Sequence, residues 1–345
     1  AEGHPPLLAN LGVSLVERAL LDALCRHLGH PIHEVIRENL IGIRLGDVRP
    51  GLNDLSLAEA LPEKPRPTII ARHTIGLGDP LTTDDVTDET RADDTLPLDL
   101  ESCIRSYKLN YFKIKVCGDL ATDLPRLRTI ADLLGPQALF TLDGNEQYAS
   151  IAAFREHWEV WREDEKVRTF LDTGLLLVEQ PAHRDETFAP EVAADFSCWP
   201  NRPSFIIDEA DGSLDSLPNA LDLGYDGSSH KNCKGIVKGI ANAATLAQAG
   251  ASRKRPVHLS GEDLANVGPI ALLQDLAIMA TLGIEHVERN GHHYFKGLSA
   301  WPEPIQEPIL AHHGDLYHRH PEGYPTLRIE NGRLDLATLN SAPFG

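Results

Sequence analysis

Short runs rich in β-branched and aromatic residues recur along this chain, and amphipathic stretches of helical period fill the intervals between them. The strand-like runs are Thr68–Thr74, Tyr111–Val116, Leu139–Asp143, Leu175–Glu179, Phe205–Asp208, Gly227–Lys231, Val257–Ser260 and a weaker one near His286. The helical stretches between them include Asp119–Leu134, Ile151–Trp161, Ile236–Ala249 and Ile270–Leu282. Strand and helix alternating at this rhythm predict a parallel sheet, and the number of units favours a closed α/β barrel over an open doubly wound sheet. No G-x-G-x-x-G follows the first run. Gly76-Leu77-Gly78 is only a fragment of such a loop, so no dinucleotide cradle is expected there.

Ahead of the first strand, Val16, Leu20, Ala23, Leu24 and Leu28 recur at helical spacing and predict a helix over Ser14–Leu28 with that stripe turned to a core. Ser14-Leu15-Val16-Glu17 reads as its capping box, and Gly29 and Pro31 stop it. At the other end, Leu327–Leu336 with Asn331-Gly332 at its middle predicts a hairpin.

The composition, 42% hydrophobic and 24% charged with no biased tract, is that of a soluble globular chain. A formal charge of −19, from 32 basic against 51 acidic residues, argues against a nucleic-acid surface. An anionic substrate would therefore have to be met by local cations or by a metal. Cys25, Cys103, Cys117, Cys198 and Cys233 are scattered, odd in number and without a C-x-x-C pair, which fits a reducing compartment. No apolar run approaches the roughly 20 residues that span a bilayer, and the N-terminus has no basic-then-apolar signal. The expectation is a cytoplasmic protein, a homo-oligomer with neither a membrane nor a nucleic-acid partner.

In a parallel barrel the chemistry collects at the C-terminal ends of the strands. The second strand ends in Lys113-Ile114-Lys115, whose period of two puts both ammonium groups on one face. Like charges so close disfavour each other's protonation, so one of them can act as a base near neutral pH. The next three strands end in Asp143, Glu179 and Asp208, which would converge on one point. Hard oxygen ligands without a Cys/His set favour Mg²⁺, with Mn²⁺ as the alternative, over zinc. The sixth strand supplies Lys231, with Lys234 as the alternative lysine, although Lys234 and Lys238 read more readily as members of the outer helix. Glu262, directly after the seventh strand, and the loop pair His292 and His293 near the eighth are weaker candidates for substrate contact.

Lys113-Ile-Lys115, Asp143-Gly-Asn145, Val178-Glu179-Gln-Pro181, Asp208-Glu209 and Lys231 within Lys-Asn-Cys-Lys-Gly235 together resemble the enolase superfamily, in its mandelate-racemase and muconate-lactonizing branches. Gly12–Ile36 looks like the helical end of that family's capping domain, and Ile329 to Gly345 like its return strand. The resemblance implies a modified (β/α)7β barrel over residues 67–320. It also implies a partial capping domain over 1–66 and a returning C-terminal segment over 321–345. The capping strands that precede this helix in the family do not appear in the sequence, nor do the loops that choose substrate there. It further implies an enzyme that uses Mg²⁺ at Asp143, Glu179 and Asp208 to abstract the α-proton of a small carboxylate through an enediolate. Lys115 would be the base on one face, Lys113 its neighbour and Lys231 the acid or base on the other, with Asn145 and Glu209 near the substrate. The outcome would be dehydration of the acid-sugar type, or racemisation or epimerisation. A cycloisomerase of the muconate-lactonizing type and a non-catalytic binding barrel are the alternatives. A Schiff-base aldolase would leave the carboxylate trio without a purpose.

Overall fold

The computed structural model describes residues 4–87, 96–262 and 266–345. Eight parallel strands appear where the pattern places them: β1 (Thr68–Ile75), β2 (Tyr111–Lys115), β3 (Leu139–Asp143), β4 (Leu175–Glu179), β5 (Phe205–Ile207), β6 (Gly227–His230), β7 (His258–Gly261) and β8 (His286–Arg289). They follow one another in sequence order in one sheet, and β1 pairs in turn with β8, closing the ring of a TIM-like α/β barrel. The closing contact includes the Ile70 N–H donating to the Glu285 carbonyl at 3.0 Å.

Three further strands follow: β9 (Tyr317–Arg319), β10 (Pro325–Leu327) and β11 (Arg333–Asp335). The predicted turn forms, with Asn331 at φ 52° and Gly332 at φ 70° under a Glu330–Arg333 bridge. The flanking strands do not pair with each other, however. β10 pairs with β9, while β11 lies antiparallel to the start of β1, outside the ring, with Thr68 opposite Asp335 and Ile69 opposite Leu334. Pairing with β11 gives the first half of β1 a partner on the side where an edge would otherwise be open.

The chain falls into two compact units. One holds residues 72–210 and 216–227, the other the residues up to 71 with 211–215 and 228–345. In the first, β2 to β5 are backed by helices Leu120–Leu134, Ile151–Glu163 and Glu165–Gly174. Their N-termini are capped by the side chains of Asp119, Ser150 and Asp164, which accept otherwise orphaned backbone N–H groups. Phe140 stacks on Phe170 with ring centroids 4.0 Å apart, so the even-numbered positions of β3 face the helices. Asp143 and Thr141 face the other way.

In the second unit the first helix runs Pro6–Leu28, starting eight residues earlier than Ser14. Pro6 suits a first helical turn, and Gly29, at φ 70°, ends the helix as expected. The stripe of Val16, Leu20 and Leu28 is exposed, and the buried positions are Ser14, Leu21 and Cys25. Ser14 and Glu17 therefore make no capping box. The Ser14 hydroxyl donates to the Asn232 carbonyl, and the Glu17 carboxylate accepts the Ile236 N–H at 2.5 Å. These polar contacts, rather than the apolar stripe, select the face that packs.

Candidate active site

The register of β2, β3 and β4 builds the site row by row. Lys113 lies opposite Thr141 and Lys115 opposite Asp143, while Thr141 lies opposite Leu177 and Asp143 opposite Glu179. Side chains in register on parallel neighbours share a face, so Lys115, Asp143 and Glu179 form one row turned away from the helices, with Lys113 in the row before it. Glu179 is in turn opposite Ile206 on β5, which puts Asp208, two residues on, over the same face. The three carboxylates and Lys113 are all buried.

Lys113 Nζ bridges Asp143 Oδ2 at 2.9 Å and Glu179 Oε2 at 2.8 Å. Lys115 Nζ donates to Asp143 and to the Asn145 side-chain oxygen. Burial would by itself raise the Asp143 carboxyl, but the Lys113 and Lys115 ammonium groups beside it hold it below the usual carboxylate range. Asn145 Nδ2 donates to Glu209 Oε1 at 3.2 Å. The sequence-predicted residues Lys113, Lys115, Asp143, Asn145, Glu179, Asp208 and Glu209 thus fall together within one unit.

The backbone that carries them is bent at non-glycine positions. Asn145, Glu146 and Gln180 have φ of 40°, 64° and 21°, in the sparsely populated left-handed region that collects at functional turns. Gln180, Glu146 and Arg184 are participants that the sequence reading did not single out. Gln180 sits inside the Val-Glu-Gln-Pro segment, but its conformation and contacts depend on where β3 and β5 lie beside it. A donor set of two aspartates and one glutamate on one buried face fits a hard divalent cation such as Mg²⁺ or Mn²⁺.

The remaining candidates belong to the second unit. Lys231 directly follows β6 in an extended conformation and is half-buried. Ser228 and His230 face helix Ile236–Gly250. The Ser228 hydroxyl donates to Asp211 Oδ2 at 2.7 Å, which also accepts from Asn242 at 3.0 Å, and the His230 ring lies where a Cβ on Gly239 would come within 2.5 Å. Alternation then turns Ser229 and Lys231 away from that helix. Lys238 is on the outer helix as expected, paired with Asp211 Oδ1 at 2.7 Å. Lys234 is instead in the short turn Asn232–Lys234 and donates to the Ser229 hydroxyl at 2.6 Å.

Glu262 is buried and accepts from the Ser260 hydroxyl at 2.6 Å. His292 and His293 are not on a solvated loop. They lie in a short helix, Gly291–Tyr294, buried with ring centroids 5.0 Å apart. All five cysteines are free, and no helix among the described residues is long and apolar enough to cross a membrane.

Burial pushes the His230 imidazole down to about 4 from 6.5. Lys234 and Lys238 push the same way, against the Asn232 hydrogen bond and Asp211. The folded protein therefore binds this proton less well than the unfolded chain, and stability from a neutral His230 is complete above about pH 6.5 and lost as pH falls towards 4. The full loss is about 3 kcal/mol. Denaturant unfolding of wild type and His230→Asn at pH 7.5 and 5 should show a steeper loss in wild type, and equal losses would contradict the assignment.

Comparison with known proteins supports the architecture. No family model matches the chain, and no curated protein matches it. Among solved structures, a mandelate racemase/muconate lactonizing protein from Paracoccus denitrificans PD1222, complexed with magnesium, aligns over 95% of this chain and 69% of its own, with a TM-score of 0.57 and 16% identity. N-succinyl Arg/Lys racemase from Bacillus cereus ATCC 14579 aligns over 94% of this chain and 69% of its own (TM-score 0.55, 16% identity). A mandelate racemase/muconate lactonizing protein from Herpetosiphon aurantiacus aligns over 80% and 63% (TM-score 0.52, 21% identity), so the chain spans less than two thirds of that protein's length. At these identities the likeness is one of fold.

Proposed function

Starting from a chain that shares the fold of these proteins, we propose that it is a Mg²⁺-dependent enzyme that removes the α-proton of a small carboxylate substrate. The observation that carries the reading is the row of Lys115, Asp143 and Glu179 in register on three adjacent strands, with Lys113 bridging the last two and Asp208 over the same face. A purely structural barrel interior gains little from so many buried charges, because each costs desolvation that pairing only partly offsets.

In this reading Asp143, Glu179 and Asp208 hold the cation. Bound Mg²⁺, or Mn²⁺, would supply the positive charge that offsets a dianion developing on the substrate carboxylate. Lys115, in its neutral form, takes the α-proton onto Nζ. Asp143 and the Asn145 side-chain oxygen accept from that Nζ, and Asn145 is itself held by donating its Nδ2 to Glu209, which fixes where the proton is carried. If a proton is then delivered to the opposite face, the configuration at the α-carbon is inverted. If a β-substituent leaves with the electron pair instead, the outcome is dehydration. Racemases, epimerases and a muconate cycloisomerase all occur among the proteins of similar fold, so both outcomes stay within the proposal. Five free cysteines agree with a cytoplasmic setting.

The test is deuterium wash-in from D2O at the α-carbon of a panel of 2-hydroxy acids, N-acylated amino acids and dipeptides, followed by proton NMR. Exchange should occur with at least one class, require Mg²⁺ and be lost in Asp208→Ala. Exchange that survives both chelation and that substitution would sink the reading.

A further inference from the structure

The carboxylates lie at the ends of three adjacent strands, and one side chain, at the end of the middle strand, reaches the turns that follow the other two. Gln180 is buried at the end of β4, directly after Glu179. Its Oε1 accepts the backbone N–H of Asp208 at 2.6 Å and of Ala210 at 3.0 Å. Two donors pointing at one atom require that atom to be the oxygen, so the amide orientation is settled by its partners. The amide nitrogen is then turned to the Glu146 carboxylate, with Nε2 to Oε1 at 3.4 Å. The main chain repeats the linkage: the Gln180 N–H donates to the Ile206 carbonyl at 2.9 Å, and its carbonyl accepts from the Glu146 N–H at 3.1 Å.

Glu146 is itself fixed. Its carboxylate takes the Arg184 N–H at 2.7 Å, Arg184 Nε at 2.8 Å and Arg184 Nη2 at 2.5 Å. Between Glu146 and Asp143 lies Asn145, whose N–H donates to Asp143 Oδ1 at 2.8 Å. One carboxamide thus ties the turn after β3, the end of β4 and the turn after β5. We propose that Gln180, anchored through Glu146 and Arg184, is the positioning residue that sets the spacing of Asp143, Glu179 and Asp208, and with it their affinity for a divalent cation.

This inference rests on the proposed cation site, and its geometry is specific. The two N–H groups that Gln180 holds flank Glu209 and belong to the turn that presents Asp208, so releasing them lets that ligand drift from the other two. Partners that orient metal ligands typically contribute 10–100-fold to metal affinity when removed.

Mn²⁺ binding to the chelator-treated protein, read from the electron paramagnetic resonance signal of free Mn²⁺, provides the measurement. Wild type should bind one ion and Asp208→Ala none. Gln180→Leu should raise the dissociation constant by about 10–100-fold. Glu146→Ala, which removes only the anchor, should raise it by a smaller factor. Ile130→Ala, a cavity in helix Leu120–Leu134, should lower thermal stability with no change in affinity. A wild type that binds no Mn²⁺ overturns the cation site and this inference together. Wild-type affinity in Gln180→Leu overturns the inference alone. If that variant does not fold, Glu146→Ala decides, and unchanged affinity there overturns it.

Discussion

Replacing Lys113 by methionine should lower the free energy of unfolding by about 3–5 kcal/mol when no divalent cation is present. Lys113 Nζ lies between Asp143 and Glu179, which are paired in register and both buried. Without the ammonium group the two carboxylates face each other with only Lys115 left to compensate Asp143, and burial leaves no water to screen them. One of the pair must then take up a proton, or the strands must part. Mg²⁺ should reverse much of this, since a ligand present at a hundred times its dissociation constant adds about 2.7 kcal/mol. The gain should be larger in the variant than in wild type, where the cation has to compete with Lys113 for the same oxygens. Urea unfolding of both proteins in chelator and in Mg²⁺ gives the four values needed. A variant as stable as wild type in chelator would mean that the Lys113 bridge contributes nothing.

Lys115→Ala should lower α-proton exchange by roughly 10²–10⁴-fold, the usual contribution of a positioned base. Lys115→Arg should fare no better, because a guanidinium stays protonated and cannot accept the proton. Neither change removes a carboxylate, so Mn²⁺ binding should persist in both, and loss of the cation is thereby separated from loss of the base. Comparing initial wash-in rates at saturating Mg²⁺ makes the measurement. Exchange at the wild-type rate in Lys115→Ala would transfer the base to another residue.

Much of this site was legible in the sequence because strand geometry is local. The alternation in Lys113-Ile114-Lys115 and the positions of Asp143 and Glu179 at the ends of their strands, and of Asp208 just past its own, are set by a period of two and by the order of the strands. Both survive folding unchanged. The first helix shows where such reasoning stops. Its apolar stripe of Val16, Leu20 and Leu28 is exposed, because Ser14 and Glu17 find partners at Asn232 and Ile236, more than two hundred residues away in the chain. The C-terminal turn at Asn331-Gly332 was readable from its dipeptide, whereas the choice of β1 as the partner of β11 depends on an edge that exists only in the folded sheet.

Burial of polar residues was the other gap. His292 and His293 read as a loop pair and lie buried in a short helix. Gln180 was invisible for a related reason. Its contacts to Asp208, Ala210 and Glu146 join three segments that only the parallel register brings side by side.

The central claim is that Asp143, Glu179 and Asp208 share one divalent cation. Anomalous scattering from crystals grown with Mn²⁺ tests it most directly. A single strong peak is expected, with an oxygen of each of the three carboxylates within about 2.0–2.6 Å and Lys113 Nζ moved off at least one of its two present partners. A peak elsewhere, or none while Lys113 still bridges Asp143 and Glu179, would contradict it.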